Sequence, residues 1–282
     1  MSTSRNSFLS RRAFIARAAM AAAALLGLPG WAEAQSSPSV SEWQKNLWPR
    51  SSEEEKTFLP DFTPAQLRYS GGRWQEYPTA MASFLDEVGK RTSIETAQDA
   101  QAVDISSPEI FEYPFLYMSG RYEFEMPGAR AIDNLRRHLT YGGFLLIDDG
   151  LGLEGEAFGG AVRKLMRLVF PRNAFEALQR EHAAFKSYYL IRSIGGRQAV
   201  SQDLMGINIG MFTPVIFCRN DLGGAWARGP GGGWLEECTP GGETQRLAAF
   251  QLAVNIALYA MTGNYKQDLI HHPFIQRRLN QG

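Results

Sequence analysis

The chain has 282 residues, with 29 basic against 29 acidic side chains and 44% apolar residues. That length and apolar content suit one large domain with a sizeable core, or one domain with an arm. The balanced charge gives no reason to expect nucleic acid or an anionic membrane surface as partner.

The first element is a leader. Arg5, Arg11, Arg12 and Arg17 make a basic start with no acid before Glu33, and residues 18–28 form an apolar run of 11. Pro29 and Gly30 follow, then Ala32-Glu33-Ala34, a small-x-small cleavage pattern. Basic, apolar and cleavage regions in that order are the secretory layout. The run is shorter than the ~20 residues that span a bilayer. Ser10-Arg11-Arg12-Ala13-Phe14-Ile15 resembles the twin-arginine export motif. The expectation is a signal peptide over residues 1–34, with the mature chain periplasmic or secreted and no stable membrane anchor after cleavage. Cleavage removes four Arg and one Glu, leaving 248 residues with 25 basic and 28 acidic side chains, a net charge of −3.

Residues 35–60 are polar and read as an arm or linker, with Trp43, Leu47 and Trp48 at helix-like spacing for docking. From residue 61 the pattern alternates. Strands are expected at 65–69, 102–105, 113–118, 143–147, 188–191 and 214–218. Helices are expected at 78–89, 128–139, 158–170 and 243–261. Pro114 must stand at the start of its strand. The continuous apolar run Gly143-Phe144-Leu145-Leu146-Ile147 is what a strand covered on both faces requires. Alternating strands and helices joined by short links predict an α/β three-layer sandwich, a mainly parallel sheet between helices. The domain is placed at 61–265 and a tail at 266–282. The glycine-rich segment 229–242 lacks the Gly-Lys-Ser/Thr of a phosphate loop and reads as a flexible excursion.

Open α/β sheets bind ligands beyond the carboxyl ends of their strands. The residues delivered there are Arg68, Tyr69 and Trp74; Ser119, Gly120 and Arg121; Asp148 and Asp149; and Asn220 and Asp221. They form the candidate ligand-binding set, for an unknown polar small molecule. Asp148-Asp149 is the sharpest feature. Neighbours in a strand point to opposite faces, so two adjacent aspartates are not expected both to be core. One of them binds a metal or acts as a base, or else one caps a helix while the other pairs with an Arg. His182 is an acid–base candidate if its loop folds over that rim, and a surface histidine otherwise. His138, on a helix among basic residues, reads as solvated. His271-His272 has no third ligand nearby, and no metal site is expected. No pattern in residues 35–282 is built to hold a cofactor. Cys218 and Cys238 are the two cysteines, and either pair or stay as buried thiols. Ser119 does not read as a nucleophile, because Tyr117 and Arg121 replace the glycines of a Gly-x-Ser-x-Gly elbow.

Several of these runs resemble one bacterial family, the domain of unknown function 4159. They are Pro64-Ala65-Gln66-Leu67-Arg68-Tyr69, Trp74, Tyr113-Pro114-Phe115-Leu116-Tyr117-Met118-Ser119-Gly120 and Gly142-Gly143-Phe144-Leu145-Leu146-Ile147-Asp148-Asp149. Asn220-Asp221-Leu222-Gly223 and Ala253-Val254-Asn255-Ile256-Ala257-Leu258-Tyr259-Ala260 also fit, so the resemblance spans about residues 60–265. It implies the flavodoxin-like fold of class I glutamine amidotransferases. It does not carry their activity over. Those enzymes need a Cys on the elbow after the central strand, where this chain has Ser119-Gly120-Arg121. Members of the family often have a His where Arg121 stands. The leading expectation is a non-catalytic ligand-binding or assembly domain. The alternatives are a hydrolase, metal-assisted or not, using Asp148, Asp149 and His182, and a structural subunit docking an envelope protein through its N-terminal arm.

Overall fold

A computed structural model of the protein describes residues 60–151 and 157–279, with side chains through Thr262. The expected signal peptide at residues 1–34 and the expected arm with Trp43, Leu47 and Trp48 lie outside the described residues. Among the described residues seven strands form one sheet: β1 (Ala65–Arg68), β2 (Gln101–Asp104), β3 (Phe115–Gly120), β4 (Phe144–Asp149), β5 (Glu176–Ala177), β6 (Met205–Ile209) and β7 (Phe212–Cys218). Their order is β2-β1-β3-β4-β7-β6-β5. The first five in that order are mutually parallel, and β6 and β5 add an antiparallel edge beside β7. The helices are α1 (Ala80–Arg91), α2 (Ala129–Thr140), α3 (Ala157–Val169), the short α4 (Leu222–Trp226) and α5 (Gly242–Leu279).

Strand alternation divides the core. Phe115, Tyr117, Phe144, Leu146, Ile216 and Cys218 face α1, α4 and α5; Leu116, Met118, Leu145, Ile147, Val215 and Phe217 face α2 and α3. A strand with helices over both faces has no solvent side, so β3 and β4 are buried at every position. An aromatic row ties the first face together. Trp226 of α4 stacks on Phe84 of α1 at 5.3 Å, Phe84 meets Phe115 at 6.0 Å, and Phe115 meets Phe144 at 5.3 Å.

The expected α/β architecture with a mainly parallel sheet is what the chain adopts, with four differences. Tyr188–Ile191 is not a strand. The buried Asn255 side chain accepts from the N–H groups of Tyr188 and Tyr189 and donates to the carbonyls of Ala184 and Tyr189. One amide thus satisfies backbone groups that a neighbouring strand would otherwise serve. The edge strands β5 and β6 have no counterpart among the strands expected from the sequence. Pro214, expected to open a strand, lies inside β7, where the pairing slips by one residue between Ile207 and Ile209. That irregularity accommodates the N–H that proline lacks. The closing helix runs past 261 to Leu279.

The glycine-rich segment is tied down rather than an excursion. Arg228 stacks on Trp234 at 3.9 Å, Arg246 stacks on the same ring at 4.5 Å, and the backbones of Arg228 and Trp234 bridge. Among the described residues, no helix is long and apolar enough to cross a membrane.

Candidate functional site

Five parallel strands end on one rim, and the loops leaving them interlock there. Asp148, near the end of β4, is 1% exposed. Its carboxylate accepts the N–H of Leu222 and the N–H of Gly223, each at 2.7 Å, and the Tyr117 hydroxyl at 2.9 Å. It therefore caps α4, the helix after β7, rather than the helix next in sequence. Burial pushes its pKa up, the charge of Asp221 adds to that, and the three donors pull the other way; the outcome is about 7.

Asp221 sits beyond β7 in the left-handed region (φ 57°). There its carboxylate accepts from the Gly224 N–H at 2.9 Å, the Tyr77 hydroxyl at 3.0 Å and the Arg197 guanidinium. Arg121, leaving β3, lies 4.0 Å from the same carboxylate, hydrogen-bonds the Tyr77 hydroxyl, stacks over the Tyr77 ring at 5.2 Å and pairs with Glu76 at 3.4 Å. One buried charge thus holds the loops after β1, after β3 and around residues 194–201 against α4. Arg121 Nε and Glu76 Oε2 are buried there without hydrogen-bond partners, although Arg73 pairs with Glu76 Oε2 at 3.4 Å.

Asp149 points the other way, into the α2–α3 face, where its carboxylate accepts the Leu151 N–H at 3.0 Å and lies against Gly159. It is 2% exposed. Burial pushes its pKa up to about 6, opposed by the Leu151 N–H and by the charges of Arg219 and Arg163. The expectation that two adjacent aspartates are not both core is therefore overturned. They do point to opposite faces, but both faces are covered at this end of the sheet.

The remaining candidates divide. Tyr69 donates to the Ser119 carbonyl at 2.6 Å, and Ser119 Oγ reaches the Trp74 carbonyl at 3.4 Å, so Tyr69, Trp74, Ser119, Gly120 and Arg121 do gather. Arg68 points outward and pairs with Asp104 at 3.7 Å on the surface. Asn220 turns away and clamps the 194–201 segment, bonding Ile194 and Ser201.

His182 does not reach the rim. Its Nδ1 accepts the Ala184 N–H at 3.1 Å, which leaves Nε2 to donate to Thr213 Oγ1 at 3.1 Å. Thr213 is two residues before Val215, the partner of Leu145, so it lies at the amino end of β7. That is five residues short of the level of Asp148, about 16 Å along the strands. His138 is buried rather than solvated; its ring packs on Gly143, and burial pulls its pKa down to about 4. Both cysteines are buried free thiols. Among the described residues, no three His, Cys, Asp or Glu side chains gather as a set that could hold a metal ion.

The model of a family described as a domain of unknown function (DUF4159) matches residues 63–261. The chain belongs to this family. Among curated proteins, none matches the chain. In this DUF4159 domain the matched span runs from just before β1 to Met261 of α5, and so contains every rim residue described above.

Sequence reasoning missed Glu76, Tyr77, Tyr117 and Arg197. Arg197 had a signal: Gly195-Gly196-Arg197 repeats the pattern of Gly71-Gly72-Arg73. Its glycines are needed because added Cβ atoms would come within 2.1 Å of Ala249 N and 2.0 Å of the Asn220 carbonyl. Tyr117 had none, since an aromatic in an apolar strand reads as core.

Proposed function

We propose that the chain is an exported, non-catalytic binding domain, built on a flavodoxin-like scaffold of the class I glutamine amidotransferase type, that holds a polar small molecule at its carboxyl-end rim. Support for the scaffold comes from topology. Numbered along the chain, the five parallel strands stand in the order 2-1-3-4-5, with the switch between β1 and β3.

The observation that carries the non-catalytic reading is the position after β3. There an amidotransferase presents its nucleophile, and here Gly120 leaves no room for a side chain. A Cβ on Gly120 would come within 2.2 Å of the Tyr69 hydroxyl and 2.7 Å of the Phe158 ring. The neighbouring Ser119 is buried, and Arg121 is engaged with Glu76, Tyr77 and Asp221. Without a thiolate or an activated hydroxyl there is no acyl-enzyme. The hydrolase alternative requires Asp148, Asp149 and His182 to act together, and they occupy two faces and two ends of the sheet.

Support for binding at the rim comes from its backbone. The three non-glycine residues with positive φ among the described residues are Arg73, Leu151 and Asp221, and each follows the carboxyl end of a strand. Such conformations persist only where the surroundings hold them, and they cluster at ligand sites. Export is supported by the leader alone.

The test has two arms. In cell fractions the protein is expected in the periplasm with Gln35 as its first residue, and Arg11→Lys with Arg12→Lys is expected to retain it in the cytoplasm. Purified protein is expected to turn over nothing in a broad esterase, amidase, phosphatase and glycosidase panel. Turnover abolished by Asp148→Ala, or an unprocessed cytoplasmic wild type, refutes the corresponding half of the proposal.

A further inference from the structure

Charge is balanced over the whole chain but not over its surface. α2 carries Arg130, Arg136 and Arg137 against one acid, Asp133, and α3 carries Arg163, Lys164 and Arg167 against none. Arg172 follows α3. α1, in the other helix layer, shows the ordinary arrangement: Lys90 pairs with Asp86 and Arg91 with Glu87, each four residues earlier. In the α2–α3 layer three cations are engaged. Arg136 pairs with Asp133 at 3.2 Å and donates to the carbonyls of Leu168 and Val169. Arg137 stacks on Phe111 at 5.6 Å, and the charge of Arg163 acts on Asp149. The side chains of Arg130, Lys164, Arg167 and Arg172 make no ion pair or hydrogen bond among the described residues, and all four residues are exposed.

These charges share one outward strip. Exposed positions on α2 recur as Arg130, Asp133 and Arg137, and on α3 as Gly160, Lys164, Arg167 and Leu168, the spacing of a single helix face. The bonds from Arg136 to Leu168 and Val169 set the carboxyl ends of the two helices side by side. At that end the strip also carries apolar side chains: Tyr141, which ends α2, is 81% exposed and Leu168 is 42% exposed. The nearby exposed acids Glu109, Glu112 and Glu176 lie off the two helices, in the turn packed on α2 and on β5.

We propose that the outer face of α2 and α3 rests against an anionic lipid surface, with Arg130, Lys164, Arg167 and Arg172 facing lipid phosphates and Tyr141 and Leu168 entering the headgroup boundary. Two helices side by side present a convex strip, which suits a broad charged surface and does not enclose a small anion. A nucleic acid would engage the cations through its phosphates but would leave Tyr141 and Leu168 unused. Lipid accepts both chemistries: basic side chains meet headgroup charge while aromatic and aliphatic side chains enter the interface.

A chain with 29 basic and 29 acidic residues gains nothing from its average charge at such a surface. Attraction comes from the segregated strip alone. Each cation held near an anionic membrane strengthens partitioning about fivefold. Losing the positive charges of Lys164 and Arg167 therefore weakens it about 25-fold, and reversing them weakens it further. Screening acts in the same direction, because the Debye length falls from about 10 Å at 0.1 M salt to about 3 Å at 1 M.

Flotation of the full chain with phosphatidylglycerol-containing vesicles and with pure phosphatidylcholine vesicles tests this. Binding is expected to favour the anionic vesicles and to fall between 0.1 M and 1 M salt. Lys164→Glu with Arg167→Glu is expected to lose at least about 25-fold. Lys90→Glu with Lys186→Glu makes the same change in total charge at exposed positions off the strip, and is expected to keep most of the binding. Amine labelling gives a local readout: anionic vesicles are expected to shield Lys164 and leave Lys90 open. Tyr141→Ser with Leu168→Ser is expected to weaken vesicle binding and leave retention on heparin unchanged. The proposal is overturned if anionic vesicles are not preferred, if salt has no effect, if the two charge reversals lose binding equally, or if Lys164 labels alike with and without vesicles. Retention on heparin together with vesicle binding unmoved by Tyr141→Ser and Leu168→Ser also overturns it, and assigns the strip to a soluble polyanion.

Discussion

Replacing Asp221 by Asn isolates its charge. Asn tolerates the left-handed backbone and keeps an oxygen for the Gly224 N–H, so shape and cap survive. What goes is the anion facing Arg197 and Arg121, whose side chains are only 14% and 21% exposed. Breaking a fully buried ion pair costs about 3–5 kcal/mol because the remaining charge stays desolvated. The partial exposure of both guanidiniums reduces that, and relief of the repulsion on Asp148 returns some, so the expected loss is about 2 kcal/mol. Asp104→Asn is the control. Its pair with Arg68 is 40% and 52% exposed, and the same chemical change there is expected to cost less than about 1 kcal/mol. Urea unfolding at pH 7.5 measures both. The Asp148 carboxyl, followed by 13C NMR in Asp221→Asn, is expected to titrate below about 7, since the Asp221 charge helps raise it. Equal losses in the two variants, or an Asp148 midpoint unmoved by Asp221→Asn, refutes the reasoning.

Four further outcomes are expected. Stability depends on pH with two opposed contributions. The raised Asp148 stabilises at low pH and loses that contribution as pH rises through about 7, so unfolding free energy falls by about 1 kcal/mol from pH 6.5 to 8, and Asp148→Asn is flat there. His138, pulled down to about 4, stabilises above about 6.5 and loses that contribution as pH falls; His138→Leu is expected to remove part of the acid loss, read by thermal unfolding between pH 4 and 6. Gly120→Ala pushes a methyl group against Tyr69 and Phe158 and is expected to lower unfolding free energy by about 2–3 kcal/mol in urea, whereas Gly128→Ala, where a Cβ meets nothing within 4 Å, is expected to change it by less than about 0.5 kcal/mol. Asn255→Leu leaves two backbone N–H groups and two carbonyls without their partner, and is expected to cost about 3 kcal/mol and open the 183–191 segment to protease.

The parallel part of the fold was legible because its strands are covered on both faces and so carry unbroken apolar runs. Phe144 to Ile147 is the clearest case. The edge was not legible. Met205–Ile209 is short, half-buried and carries Gly206, and β5 has only two residues. The same omission left the place of His182 open. After α3 the chain resumes at the amino end of the sheet, where Asn173 bonds the Asn208 carbonyl, and His182 lies there too. Without β5 and β6 in the strand count, nothing in the sequence said which end that loop occupies. At the site, the residue types on the rim were legible because strand ends can be read. Their pairing was not. Tyr77, Arg197 and Asp221 meet across 144 residues of chain, and only the topology brings them together.

The most direct measurement is a native mass spectrum of the protein purified from its own compartment, followed by incubation of whatever it carries with fresh protein. The account predicts a small polar molecule bound to the folded protein, released intact on denaturation and unchanged after prolonged incubation. A protein that carries nothing, or that converts its bound molecule into a product, contradicts it.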